Sequence, residues 1–323
     1  MKKAFLACVW LLLMGTAPGA QTAGSLLLVL NKTDATLSFI DPRSGQTLGT
    51  VPTGQDPHEV TTTADGRFAV TTNYSGGSLS VIDIATRKEL KRLALPDLRQ
   101  PHGIDTIGGL AVFTAEGNQA VAGYDPAADR IAWRAPTGQS GTHMVVASRD
   151  GSTLFTSNMG SNSVTILERA GDSWRPTHVP LGAGPEGLDL SPDGRELWAA
   201  HFGDGGVSIV DVAAKKVTHR LDAKTRRANR LKFTRDGKHA LISDMSGGEL
   251  VIVDAGTRAI VKRLRVGMTP EGILVPPEGD RVYVALTGEN RVIAVDVKTL
   301  EVVQTIATGR GPDGMAWAAP KRP

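Results

Sequence analysis

His58, His102 and His143 occupy one position of a repeat that runs through the chain, and Glu186, Asn229, Glu271 and Asp313 continue the series. Three imidazoles and a carboxylate from four consecutive repeats form a donor set suited to zinc, copper, iron or manganese. The expected metal ligands are therefore His58, His102, His143 and Glu186, and the expected cofactor is a divalent transition metal. His201 lies in the same repeat as Glu186 and could join them. Arg230 stands beside Asn229 in the slot that Gly187 and Gly272 fill elsewhere. A guanidinium there could hold a carboxylate or phosphate, or fan into solvent. The expected ligand-binding set is thus His58, His102, His143, Glu186, His201, Asn229, Arg230, Glu271 and Asp313. A metal, a metal-bearing cofactor or a small anion would suit it. The same residues also suit a wet channel mouth that binds nothing.

The repeat has a period of 41 to 44 residues, marked by Asp65-Gly66, Asp150-Gly151, Asp193-Gly194, Asp236-Gly237 and the variant Glu278-Gly279. Counting back seven from each marker gives His58, His143, Glu186, Asn229 and Glu271; Gly108-Gly109 and Asp313 place the other two copies. A fixed period near forty means repeated supersecondary units. In the copy from Glu186 to Arg227, four short apolar runs alternate with Gly, Pro and Asp: 187–190, 196–200, 207–211 and 216–221. That pattern reads as a four-stranded antiparallel meander, the blade of a propeller. Ser25 to Thr53 supplies three strands without an innermost one, and Asp313 to Ala318 supplies one strand with nothing after it. The expected fold is therefore all-β, a seven-bladed β-propeller over residues 24–323. Its last blade is closed by the N- and C-terminal strands.

In such a blade the first strand lines the channel, so the seven ring residues meet at one mouth. Counting back ten from the Asp that ends the third strand gives a second, outer ring: Asn31, Asn73, His201, Asp244 and Leu286, with Asn158 and either Ala115 or Glu116. Asn31 and Asn73 also fall in glycosylation sequons, which coincide with the repeat's turn-forming Asn. Trp133, Trp174, Trp198 and Trp317 lie in strand-like runs and read as blade packing, and His219 and His239 read as surface residues.

Met1-Lys2-Lys3, the apolar run Ala4 to Gly15 and the small residues up to Ala23 read as a cleaved signal over 1–23. The expected location is periplasmic or secreted, with no membrane segment after cleavage. The lone Cys8 falls in that signal, so the mature chain has no disulfide and no thiolate ligand. Without Lys2 and Lys3 the 36 basic residues fall to 34 against 33 acidic ones, which gives no bulk nucleic-acid signal. Basic residues do crowd 215–238, among them Lys215, Lys216, Arg226, Arg227, Arg230 and Lys232. They read as a solvated edge or as a docking patch for a periplasmic partner. No Gly-x-Ser-x-Gly elbow, phosphate loop or dinucleotide fingerprint is present. A closed ring has no need to oligomerise, so a monomer is expected.

The run Ala69-Val70-Thr71-Thr72-Asn73-Tyr74 followed by Ser78-Leu79-Ser80-Val81-Ile82-Asp83 resembles the YVTN-type repeat of YncE-like propellers, as do 28–41 and 155–166. The resemblance covers essentially the whole mature chain and implies an exported seven-bladed propeller. It leaves function open between a binding protein, a metal-dependent lactonase or lyase with Glu186 or Glu271 as base, and an interaction scaffold.

Overall fold

The computed structural model describes residues 24–319; the expected signal over 1–23 lies outside them. They form twenty-eight strands, β1–β28 in chain order, in seven four-stranded antiparallel sheets. Six sheets are consecutive meanders. The seventh has the order β28 (Pro312–Ala318), β1 (Leu26–Asn31), β2 (Thr36–Ile40), β3 (Thr47–Pro52). Leu26 pairs with Ala318 and Leu28 with Ala316, so both ends of the described chain close the ring as the repeat count requires. Among the described residues no helix is long and apolar enough to cross a membrane.

In four blades the turn between first and second strands is set by an Asp-Gly pair. Gly66, Gly151, Gly194 and Gly237 take φ of 67°, 70°, 74° and 70°, left-handed values that a side chain resists. The second strand of each blade is sandwiched between neighbouring blades. It is therefore buried on both faces, as in 68–73 and 196–201, instead of alternating. The outermost strands keep one wet face, as in 88–94. Seven apolar clusters fill the seven gaps between adjacent blades. Trp198, Ile209, Leu231, Phe233 and Ile242 join the fourth and fifth repeats in this way. The tryptophans pack as expected: Trp133 against Trp174, Trp198 against Phe233 and Trp317 against Tyr283.

The innermost strands are β4 (Pro57–Thr62), β8 (Pro101–Ile107), β12 (Thr142–Ala147), β16 (Pro185–Leu190), β20 (Ala228–Phe233), β24 (Pro270–Leu274) and β28. Their pairing with the second strand is interrupted immediately after the first residue, for example between Pro57 and Glu59 and between Pro185 and Leu188. Proline tolerates this position because a strand's first residue need not donate to the ladder. The interruption is a bulge, and a bulge re-aims side chains. All seven ring residues sit on one.

Candidate functional site at the channel mouth

The residue after each ring position is Glu59, Gly103, Met144, Gly187, Arg230, Gly272 or Gly314. The glycines are required by space. A Cβ on Gly187 would lie 2.4 Å from Asn229 O, and one on Gly272 would lie 2.2 Å from Asp313 O. Adjacent inner strands therefore touch backbone to backbone. A hydroxyl on the second strand fastens them. Thr72, Thr114, Ser157 and Ser243 donate to the carbonyls of His102, His143, Glu186 and Glu271 at 2.5, 2.6, 2.6 and 2.8 Å. The same four hydroxyls accept the bulge amides of Glu59, Gly103, Met144 and Arg230.

The mouth divides into arcs. The imidazoles of His58, His102 and His143 form a stack, with centroids 4.5 Å and 3.7 Å apart. Tyr74 flanks it, 5.2 Å from His58 and 5.7 Å from His102. His58 Nε2 lies 3.2 Å from Asp56, and His143 lies 3.7 Å from both Glu116 and Glu186. On the adjoining arc Lys32 bridges Glu271 at 2.6 Å and Asp313 at 3.0 Å, and Asp313 lies 3.7 Å from His58. Below, Arg230 crosses the channel to bind Glu59 at 2.6 Å and Glu186 at 2.9 Å, with Asn229 Oδ1 at 3.2 Å. This guanidinium and its carboxylates form a plug.

Burial sets the protonation pattern. His102 is driven well below the ordinary histidine value by burial and by the charges of His143 and His58. Burial opposes protonation of His143 too, but the Glu116 and Glu186 carboxylates outweigh it and raise its pKa. The two adjoining rings are thus pushed in opposite directions, His102 toward its neutral form and His143 toward its protonated one. The hydrogen bond from His58 holds Asp56 down at about 2. Burial and the Asp313 charge raise Glu271, whereas Lys32 and Arg230 overcome burial to hold Asp313 low.

The structure brings His58, His102, His143, Glu186, Asn229, Arg230, Glu271 and Asp313 to one mouth. It does not assemble the expected metal set. Among the described residues no group of three or more His, Cys, Asp or Glu could hold a metal ion. The imidazoles lie against one another at tilts of 46° and 31°, His58 and His143 turn ring nitrogens toward separate carboxylates, and Glu186 is engaged by Arg230 and Asn229. His201 does not join the ring. Its Nδ1 lies 2.8 Å from Asp204, and its imidazole is wedged beneath Gly182. The outer ring is corrected likewise. Asn31, Asn73 and Asn158 turn into their own hairpins, where Asn73 donates to Ser78 and Ser80 at 3.1 and 3.0 Å. The residues that do overhang the mouth stand one place later: Lys32, Tyr74 and Glu116.

Arg230 is not a free anion receptor, because the protein's own carboxylates saturate it. The basic crowd is not one patch either. Arg226 and Arg227 are exposed, Lys215 pairs with Glu168, and Arg230 and Lys232 line the channel. His219 is exposed as expected, whereas His239 is half-buried.

A family model described as a YNCE-like beta-propeller matches residues 5–320. The uncharacterized protein YncE of Salmonella typhi is 24% identical over 54% of this chain and 50% of its own length. Antigen Lp49 of Leptospira interrogans is 23% identical over 50% of this chain and 40% of its own. The chain thus spans half or less of the curated relatives it matches. A functionally unknown protein from Desulfotomaculum acetoxidans superposes with a TM-score of 0.77 at 15% identity, covering 92% of this chain and 99% of that one. Streptogramin B lyase superposes at 0.71 and 14% identity, covering 90% and 91%. Identities this low show a shared fold.

Proposed function

The chain belongs to the YNCE-like beta-propeller family, and on that premise we propose that it is a non-enzymatic binding protein that holds a small organic cation at its histidine mouth. One observation carries the reading: carboxylates outnumber cations around an aromatic wall. Asp56, Glu59, Glu116, Glu186, Glu271 and Asp313 surround the mouth, against the fixed charges of Lys32 and Arg230 and a His143 whose protonated form its carboxylate neighbours favour. Lys32 and Arg230 are occupied by the deeper acids. Asp56 and Glu116 stand at the rim among the rings, Asp56 3.2 Å from His58 Nε2 and accepting from Ser75, Glu116 3.7 Å from His143 Nδ1. A carboxylate next to aromatic faces suits an ammonium group. Enzymatic roles for Glu186 or Glu271 as base fit less well, because each is engaged by an internal cation. The Met1–Ala23 pattern supports a location outside the cytoplasm.

Titration calorimetry of the purified protein against choline, spermidine, zinc, manganese and phosphate tests this reading. The expected result is that an organic cation binds and that Glu116→Gln weakens it at least tenfold. Tighter binding of phosphate, stoichiometric uptake of a metal in its place, or an unchanged Glu116→Gln affinity would each overturn it.

A further inference from the structure

Beneath the Arg230 plug the channel widens into a cavity of about 1000 Å³. The plug separates it from the histidine mouth, and its lining includes Arg149, Asp193 and Arg235 near the turns on the far side. Its size is at the upper end of small-molecule sites. The lining is divided. β24 and β28 contribute an apolar wall of Leu274, Met315 and Ala316. β8, β16 and β20 contribute Asp105, Asp189 and Lys232, three residues beyond their ring positions.

The two carboxylates are anchored by backbone amides, and all three polar groups are left partly uncommitted. Asp105 accepts the amide of Ala147 at 2.9 Å, and Asp189 accepts that of Phe233 at 2.8 Å, so each carboxylate ties its blade to the next. A carboxylate has about four acceptor sites, and these bonds leave several unused. Lys232 Nζ stands 3.5 Å from Asp189 Oδ1 and makes no shorter polar contact among the described residues. Its three donors are therefore poorly used, inside a charged wall. Formal charges nearly cancel: Glu59 faces Arg230, and Lys232 faces Asp189. The remaining carboxyl, Asp105, is pushed up by burial toward its neutral form. A net anion or cation gains little there. A ligand with many hydroxyls gains on both sides, giving protons to carboxylates, accepting from the ammonium, and laying its C–H face on the apolar wall.

We infer that the far half of the channel is a second binding site, for a neutral polyhydroxylated small molecule gripped by Asp105, Asp189 and Lys232. It is independent of the cation reading at the mouth. Saturation-transfer NMR and calorimetry of the purified protein against glucose, galactose, mannose, myo-inositol, gluconate and glucosamine test it. At least one neutral polyol is expected to bind. Lys232→Met and Asp189→Asn should each weaken binding at least tenfold, while the His58→Ala/His102→Ala/His143→Ala variant retains it. Leu274→Trp, which adds bulk to the apolar wall and leaves the three polar side chains in place, should weaken it with the melting temperature retained. Four results would overturn the inference: no neutral polyol binding at millimolar concentration, preference for gluconate or glucosamine, affinity unaffected by Lys232→Met and Leu274→Trp, or affinity lost in the histidine variant.

Discussion

At the scale of residues, the mouth is governed by how buried charges are matched. Arg230 is matched twice, so removing it strands two acids. Arg230→Met is expected to destabilise the protein by roughly 3–5 kcal/mol, the usual consequence of leaving buried partners uncompensated. Urea unfolding would measure this, and adding Glu59→Gln and Glu186→Gln should recover much of the loss. If the single variant is as stable as the parent, the plug is not a coupled network. His143 makes a pH-dependent contribution. Its pKa is raised on folding, so its stabilisation is complete below the unfolded value of 6.5 and disappears as pH rises through the folded value. The difference in melting temperature between the parent and His143→Gln should therefore shrink between pH 6 and pH 9. A constant difference would argue against a cationic His143. The ring positions themselves were readable from spacing alone, because a fixed period places equivalent residues on one circle. Their partners were not. Arg230 meets Glu59 across 171 residues of sequence, and no local pattern announces a contact across the channel. Glu116 was one of two candidates for its outer-ring place, whereas Lys32 and Tyr74 had one weak signal, as the residues just after the repeat's turn Asn. The turn Asn drew the attention that its neighbour merited.

At the scale of strands, the hydroxyl clasp and the glycine contacts decide how closely neighbouring blades approach. Gly187→Ala must push β16 and β20 apart, since the new methyl group meets backbone atoms that have nowhere to rotate. A cost of about 1–3 kcal/mol is expected, as for overpacking of a tight core, read from the denaturation midpoint. An unchanged midpoint would mean the blades slide freely. Ala200 holds the clasp position in the fourth repeat, where no hydroxyl is available. Ala200→Ser should restore the missing bond to the next inner strand and add up to about 1 kcal/mol; a destabilised variant would show that the gap is too narrow for the oxygen. Strand limits in the fourth repeat were legible to within two residues, because Asp-Gly and Gly-rich breaks punctuate every run. The bulges were not, since a bulge changes no hydrophobic pattern.

At the scale of the whole molecule, one strand carries closure. Deleting 312–318 removes the inner strand of the final blade and exposes the edge of β1. Cooperative thermal unfolding should be lost, and a synthetic peptide of residues 312–319 should restore it. A deletion variant that still melts in one sharp transition would refute closure as the source of cooperativity. The ring and its seams were readable because the two terminal fragments complement each other. The division of the channel into two compartments was not, since it depends on one long side chain lying across the bore. Closure also imposes an order in time. The pairing of β1 with β28 joins strands with six blades of sequence between them, so β1 to β3 must wait as an open-edged, oily sheet while those blades are synthesised. Throughout that interval Leu27 to Leu30 are available to any other unpaired strand. The chain's greatest risk of aggregation therefore belongs to its synthesis, before β28 exists, and not to the finished ring.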